Sequence, residues 1–201
     1  MTVNLLTPFT KVDIKPETEL RSGKHGLGLF WGAFNPIHVA HLTIADQVRQ
    51  QLHLDEVRFL PENPTDAVLE MLKLATDEKM NLSVEEARCG ASCGIFESVE
   101  SLKKKFPDTD LYFIIGGDMI GSLPRWPRID ELLDLVTFVG VQRPRYRAGT
   151  SYPILWVDCP QMDVSSSQIR EQIAKGFVPN FLLAPRVLAY IQKERLYQKN
   201  V

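Results

Sequence analysis

Along this chain, short apolar-rich runs take turns with longer stretches in which apolar residues recur every three or four positions. Leu27 to Trp31, Glu56 to Leu60, Leu111 to Ile115, Thr137 to Val141 and Ile154 to Val157 are runs of the first kind. Strands covered on both faces read this way. Stretches of the second kind predict amphipathic helices. The first runs from about Ile37 to Leu52 with Leu42, Ala45, Val48 and Leu52 inward, and the second covers Thr65 to Ala75 through Val68, Met71, Leu72 and Ala75. Ile95, Val99, Leu102 and Phe106 mark a third, Ile129 to Leu135 a fourth, and Val187, Tyr190, Ile191 and Arg195 a C-terminal one. A further helix opens at the Ser165-Ser166-Ser167 run. Strands alternating with helices at this spacing call for an α/β domain, a doubly wound, Rossmann-like parallel sheet with helices on both faces. Ligands of such sheets bind at the carboxyl ends of the strands.

Composition narrows the picture only a little. The 201 residues, 44% hydrophobic and 24% charged, suit one domain with a full core. Residues 1–24 mix Thr, Pro, Lys and Glu without periodicity and read as a loosely ordered arm before a domain at 25–201. A net charge of −2 gives no bulk attraction for nucleic acid or an anionic membrane, so any polyanion chemistry must be local. Lys103-Lys104-Lys105 reads as a solvated helix face. Cys89, Cys93 and Cys159 lack a metal-type spacing and fit reduced thiols, and with no span-length apolar run the expected location is cytoplasmic.

Chemistry concentrates where the first strand ends, in Gly28-Leu-Phe-Trp-Gly-Ala-Phe-Asn-Pro-Ile-His-Val-Ala-His41. An apolar strand runs into a glycine-bearing turn, and a helix is expected to start near Pro36. The first turn of a helix exposes backbone N–H groups and the positive end of its dipole, which makes it an anion site. His38 and His41, three apart, share a face there. They do not read as a metal site, because a catalytic metal usually takes three protein ligands and no third is in view.

Those residues do not stand alone. Gly32-x-Phe34-Asn35-Pro36-x-His38-x-x-His41, with Ser165-Ser166-Ser167-Gln168-Ile169-Arg170 late in the chain, resembles the HxGH-type nucleotidyltransferases, and within them the bacterial nicotinate-nucleotide adenylyltransferases. Tyr112 to Asp118, Leu123-Pro124-Arg125-Trp126 and Val139 to Pro144 agree in the same order, and the match runs from about Gly28 to Tyr197. The resemblance implies a nucleotidyltransferase-type fold. It also implies transfer of AMP from ATP to nicotinate mononucleotide, with Mg2+ assisting and pyrophosphate leaving. His38, His41 and Arg170 would be the catalytic groups. Gly32, Ala33, Phe34, Asn35, Asp118, Ser165 and Ser166 would bind ATP, and Ser92, Cys93, Gly94 and Trp126 would seat the acceptor. The partners are then ATP and a pyridine mononucleotide, with no nucleic acid and no membrane; a homo-oligomer stays open.

Bland readings stand beside these. Ser165 with Gln168 makes a capping box on its own merits, leaving Ser166 for phosphate; Asp118 has a weaker reading as a turn residue, Trp126 one as core, and Arg143 and Arg145 could touch nucleotide or only water. The chain also departs from the family pattern. Ala33 replaces a hydroxyl residue, Ala40 and Trp31 replace glycines, and Ser92-Cys93-Gly94 replaces Ser-Tyr-Thr. The loop after Pro64 is short, Asn180 replaces a basic residue, and Ala184-Pro185 replaces Pro-Asp. A paralogue with another phosphate acceptor, or a nucleotide-binding protein without turnover, are the alternatives these departures leave open.

Overall fold

The computed structural model describes residues 25–77, 81–85, 94–141 and 150–198. The expected arm at 1–24, together with Cys89, Ser92, Cys93, Arg143 and Arg145, lies outside the described residues. Six strands form one parallel sheet: β1 (Gly26–Gly32), β2 (Glu56–Pro61), β3 (Leu82–Val84), β4 (Asp110–Gly116), β5 (Thr137–Val141) and β6 (Ile154–Val157). Their spatial order is β3-β2-β1-β4-β5-β6. The direction of winding reverses between β1 and β4, and a crevice opens at that point outside the strand ends. β3 has only three residues and pairs along Val57 to Phe59 of β2. No sequence period can be read from so short a run.

The helices are α1 (Val39–Gln51), α2 (Asp66–Thr76), α3 (Ile95–Lys105), α4 (Gly117–Ile120), α5 (Ile129–Leu135), α6 (Ser166–Ala174) and α7 (Pro185–Lys193). Side-chain alternation along β1 assigns them to faces. Phe30 joins a core cluster with Ile44, Ala45 and Val48 of α1, Met71 and Leu72 of α2, Ile169 of α6 and Val187 of α7. Leu27 and Leu29 join the opposite cluster with Phe96 and Val99 of α3, Ile120 of α4 and Leu132 of α5. Each fully buried side chain of this size contributes about 1.5–3 kcal/mol. Packing therefore outweighs the single N-cap bond of α2, Val68 N–H to Thr65 Oγ1 at 3.3 Å, worth about 1 kcal/mol.

Local detail departs from the sequence pattern at the carboxyl ends of two helices. Leu52 packs against the first core cluster as expected but is the C-cap of α1, and α7 ends at Lys193, so Arg195 lies beyond it with a left-handed φ of 53°. On β5, Gly140 is required by contact: a Cβ there would stand 2.8 Å from Ile154 Cγ2 and 2.9 Å from the Trp156 ring.

Candidate active site

After Gly32 the chain turns through Ala33, Phe34, Asn35 and Pro36 at the carboxyl end of the central strand, and the Asn35–Pro36 peptide is cis. Phe34 carries a left-handed φ of 49°, which costs a non-glycine residue about 1–2 kcal/mol. Its ring is 2% exposed and packs edge-on to Phe30, Phe59 and His41 at centroid distances of 5.5, 5.2 and 5.0 Å. Burial plus three such pairs, each worth about 0.5–1.5 kcal/mol, exceeds that cost. Gly32 makes room for this ring, because a Cβ on it would lie 3.1 Å from Phe34 Cζ. Phe34 thus acts as the pin of the turn.

The helix begins at Val39 and not near Pro36. Pro36 and Ile37 are buried in the turn itself, and a pattern of apolar residues does not distinguish a buried turn from a first helical turn. His38 is the extended N-cap (φ −141°, ψ 171°), and its N–H donates to His41 Nδ1 at 3.3 Å. Accepting there leaves a neutral His41 with its proton on Nε2, as a donor. The two imidazoles stack at 3.7 Å with 20° between planes, and both are largely covered, at 2% and 8% exposure. Two first-turn amides of α1 are already engaged: Val39 N–H with Leu182 O at 3.0 Å and His41 N–H with His38 O at 2.9 Å. The α1 terminus therefore offers its imidazoles more than the row of backbone donors expected of it.

The N-terminus of α6 is sewn onto this turn. Ser165 is the N-cap in a complete capping box: Gln168 N–H donates to Ser165 Oγ at 3.3 Å, and Ser165 N–H donates to Gln168 Oε1 at 2.9 Å. Ser166 Oγ donates to Pro36 O at 2.9 Å, so its proton is already used, against the expectation that it is left for phosphate. Arg170 donates through Nη1 to Asn35 O at 2.6 Å and through Nη2 to Ser167 Oγ at 3.2 Å. The first amides of α6, at Ser166 and Ser167, have no partner within the helix, as is general at helix starts. They and the guanidinium supply the positive rim that α1 lacks.

Asn35 takes one more bond that the sequence does not suggest. Tyr197, 162 residues away, donates its hydroxyl to Asn35 Oδ1 and has Met71 Sδ at 3.8 Å. Burial pushes the Tyr197 phenol up to about 12, against the opposing pull of the Arg170 guanidinium. It is therefore a neutral donor across the working range of an enzyme. In the sequence, the resemblance noted above runs to about this residue.

Across the switch point, β4 delivers Asp118 on the short α4, exposed at the carboxyl edge. Trp126 follows the 3₁₀ turn Leu123–Arg125, half-buried over the second core cluster, its Nε1–H donating to Ser122 Oγ at 3.0 Å. Trp31 meets it edge-on at 5.3 Å, with Phe113 and Phe138 at 6.1 and 6.4 Å. Gly94 is the exposed N-cap of α3, on this same face. Hydrogen bonds thus join Ser166 to Pro36, Arg170 to Asn35 and His38 to His41 on one side of the edge, while Asp118, Trp126 and Gly94 occupy the other. Among the described residues no group of three or more His, Cys, Asp or Glu is placed to hold a metal ion.

The chain is similar to known proteins. Residues 29–172 match the cytidylyltransferase-like family. The "Probable nicotinate-nucleotide adenylyltransferase" of Streptococcus pneumoniae is 51% identical over 211 residues, covering 98% of this chain and all of that one. That of Streptococcus pyogenes serotype M3 is 50% identical over 212 residues with the same coverage. The chain belongs to the nicotinate-nucleotide adenylyltransferase family. Its fold is shared with the Plasmodium falciparum nicotinic acid mononucleotide adenylyltransferase in complex with NaAD: TM-score 0.76, 19% identity, 88% of this chain and 98% of that one. The same Plasmodium protein in complex with APC superposes equally well at 18% identity. Family membership confirms the nucleotidyltransferase-type fold, and none of the described helices is long and apolar enough to cross a membrane.

Proposed function

We propose that the protein transfers AMP from ATP to nicotinate mononucleotide, giving deamido-NAD and pyrophosphate, as a cytoplasmic enzyme of NAD biosynthesis. The reading is carried by the β1–α1 turn, where a stacked imidazole pair and the N-terminus of α6 are fastened together at the switch point of the sheet. A phosphate oxygen of the mononucleotide attacks the α-phosphorus of ATP, the bond to the β-phosphate oxygen breaks, and pyrophosphate leaves with the electron pair. No protein nucleophile takes part, so the work is positioning and charge stabilisation.

In this scheme His41 donates from Nε2 to the reacting phosphates, and His38 caps α1 and supports the ring of His41. Arg170 and the first amides of α6 take the pyrophosphate charge. Gly32, Ala33, Phe34 and Asn35 form the turn along which the nucleotide lies, Ser165 and Ser166 hold α6 against it, and Asp118 faces the ribose hydroxyls. Trp126, with Gly94, Ser92 and Cys93, seats the pyridine end. Mg2+ would arrive with ATP as part of the substrate and would supply neutralisation of its phosphate charge.

The test is release of pyrophosphate from MgATP with nicotinate mononucleotide, with nicotinamide mononucleotide, and with neither. Release that depends on nicotinate mononucleotide supports the assignment. Binding of ATP without release for any acceptor overturns it.

A further inference from the structure

We propose that Tyr197 is a positioning residue whose hydroxyl, donated to Asn35 Oδ1, clamps the β1–α1 turn from the C-terminal end of the chain and so sets where the His38–His41 pair meets the phosphates. The inference rests on the reading of this turn as the nucleotide site.

Four observations support it. Among the described residues the turn has three anchors outside its own strand and helix at Asn35 and Pro36: Arg170 to Asn35 O, Ser166 to Pro36 O, and Tyr197 to Asn35 Oδ1. Of these three, the Tyr197 bond is the one that grips a side chain of the turn. It also fixes which end of the Asn35 amide faces away, because the oxygen is committed to the phenol and the NH2 group, a pure donor, forms the other end. Second, just beyond the Schellman turn that ends α7, in which Leu196 N–H donates to Ile191 O at 3.0 Å, Tyr197 itself adopts a left-handed φ of 62°. Such backbone persists where its surroundings over-determine it. Third, the phenol is held between α2 and the turn, with Met71 Sδ at 3.8 Å and the surrounding side chains of the first core cluster. Fourth, two residues beyond Pro36 is His38, whose N–H orients the His41 ring. A shift of Asn35 is therefore passed directly to the catalytic imidazole.

The experiment uses the full chain with Tyr197→Phe, which keeps the ring and its packing and removes only the hydroxyl. Expected are a kcat about tenfold lower with KM for ATP changed less than about threefold, since the loss is one of alignment more than of binding, and displaced imidazole nitrogen resonances of His38 and His41. In an Asn35→Ala background, Tyr197→Phe is expected to change kcat by less than about twofold, because the clamp then has nothing to hold. Unmoved imidazole resonances overturn the proposal whatever the rate does. So does an unchanged kcat, or a loss that adds in full to that of Asn35→Ala, which would mark a general structural effect. Should the wild-type chain release no pyrophosphate at all, the functional reading fails on its own, and the imidazole resonances alone decide the clamp.

Discussion

The two sides of the crevice are built differently. On the side of α1 and α6, each functional group is tied to backbone: His41 to the His38 N–H, Arg170 to Asn35 O, Ser166 to Pro36 O, with Phe34 locked beneath them. On the side of α4, Trp126 is half-buried, leans on other aromatic rings and has a single polar bond from its indole to Ser122. Braced groups favour a fixed geometry for developing charge, where small displacements are costly in rate. Aromatic rings at a rim favour contact area, which governs how tightly a substrate is held. Damage on the first side should therefore appear in kcat, and on the second in KM.

The largest break expected is His41→Ala. Removing one donor to developing phosphate charge should lower kcat by at least about 10²-fold, with the fold intact by circular dichroism. A rate within threefold of wild type would mean the braced side is not where the chemistry occurs. Next is Arg170→Lys, which keeps the charge but loses the forked grip on Asn35 O and Ser167 Oγ. Because a lysine cannot replace a planar fork, kcat/KM should fall about tenfold, mostly through kcat. A change in KM alone would show that the guanidinium only attracts the nucleotide.

How much of this contrast was legible beforehand follows the distance over which each feature is determined. β1, β4, β5 and β6 could be read locally, because strands buried on both faces are apolar in unbroken runs. The Ser165 capping box was equally local, since both of its bonds lie within four residues. The start of α1 was misplaced because Phe34 and Ile37 serve the core from within a turn, which no period records. The engaged state of Ser166 and of the Val39 amide, and the bond from Tyr197, depend on residues more than a hundred positions away. The motif thus pointed to the turn and the α6 start that the structure brings side by side, but not to which of their hydrogen bonds are already used by the protein itself.

On the aromatic side, Trp126→Ala should raise KM for nicotinate mononucleotide by about tenfold while kcat stays within about twofold, the size expected for losing one stacked ring. KM for ATP should hardly move. Equal effects on both substrates would merge the two sides into one site and dissolve the contrast drawn above.

The smallest effect expected concerns stability and lies on the braced side alone. Burial pushes the Cys159 thiol from 9.0 to about 12, with the neighbouring Asp158 carboxylate acting in the same direction, and the Tyr197 phenol from 10.0 to about 12. Both belong to the cluster under α1, α2, α6 and α7. A folded-state value above the unfolded one means that folding favours the neutral form. The stability this gives is complete below about pH 9 for the thiol and about pH 10 for the phenol, and it declines as pH rises toward about 12. Melting temperature should accordingly fall across that window, and the fall should be shallower in Tyr197→Phe, which has no phenol to ionise. At pH 8 both groups are neutral in the folded and unfolded chain alike, so any difference in melting temperature between the two proteins there reports the Asn35 bond and packing alone. Parallel slopes for the two proteins from pH 9 upward would show that the phenol is open to solvent, and the clamp on Asn35 would then lack the dry setting that makes it firm.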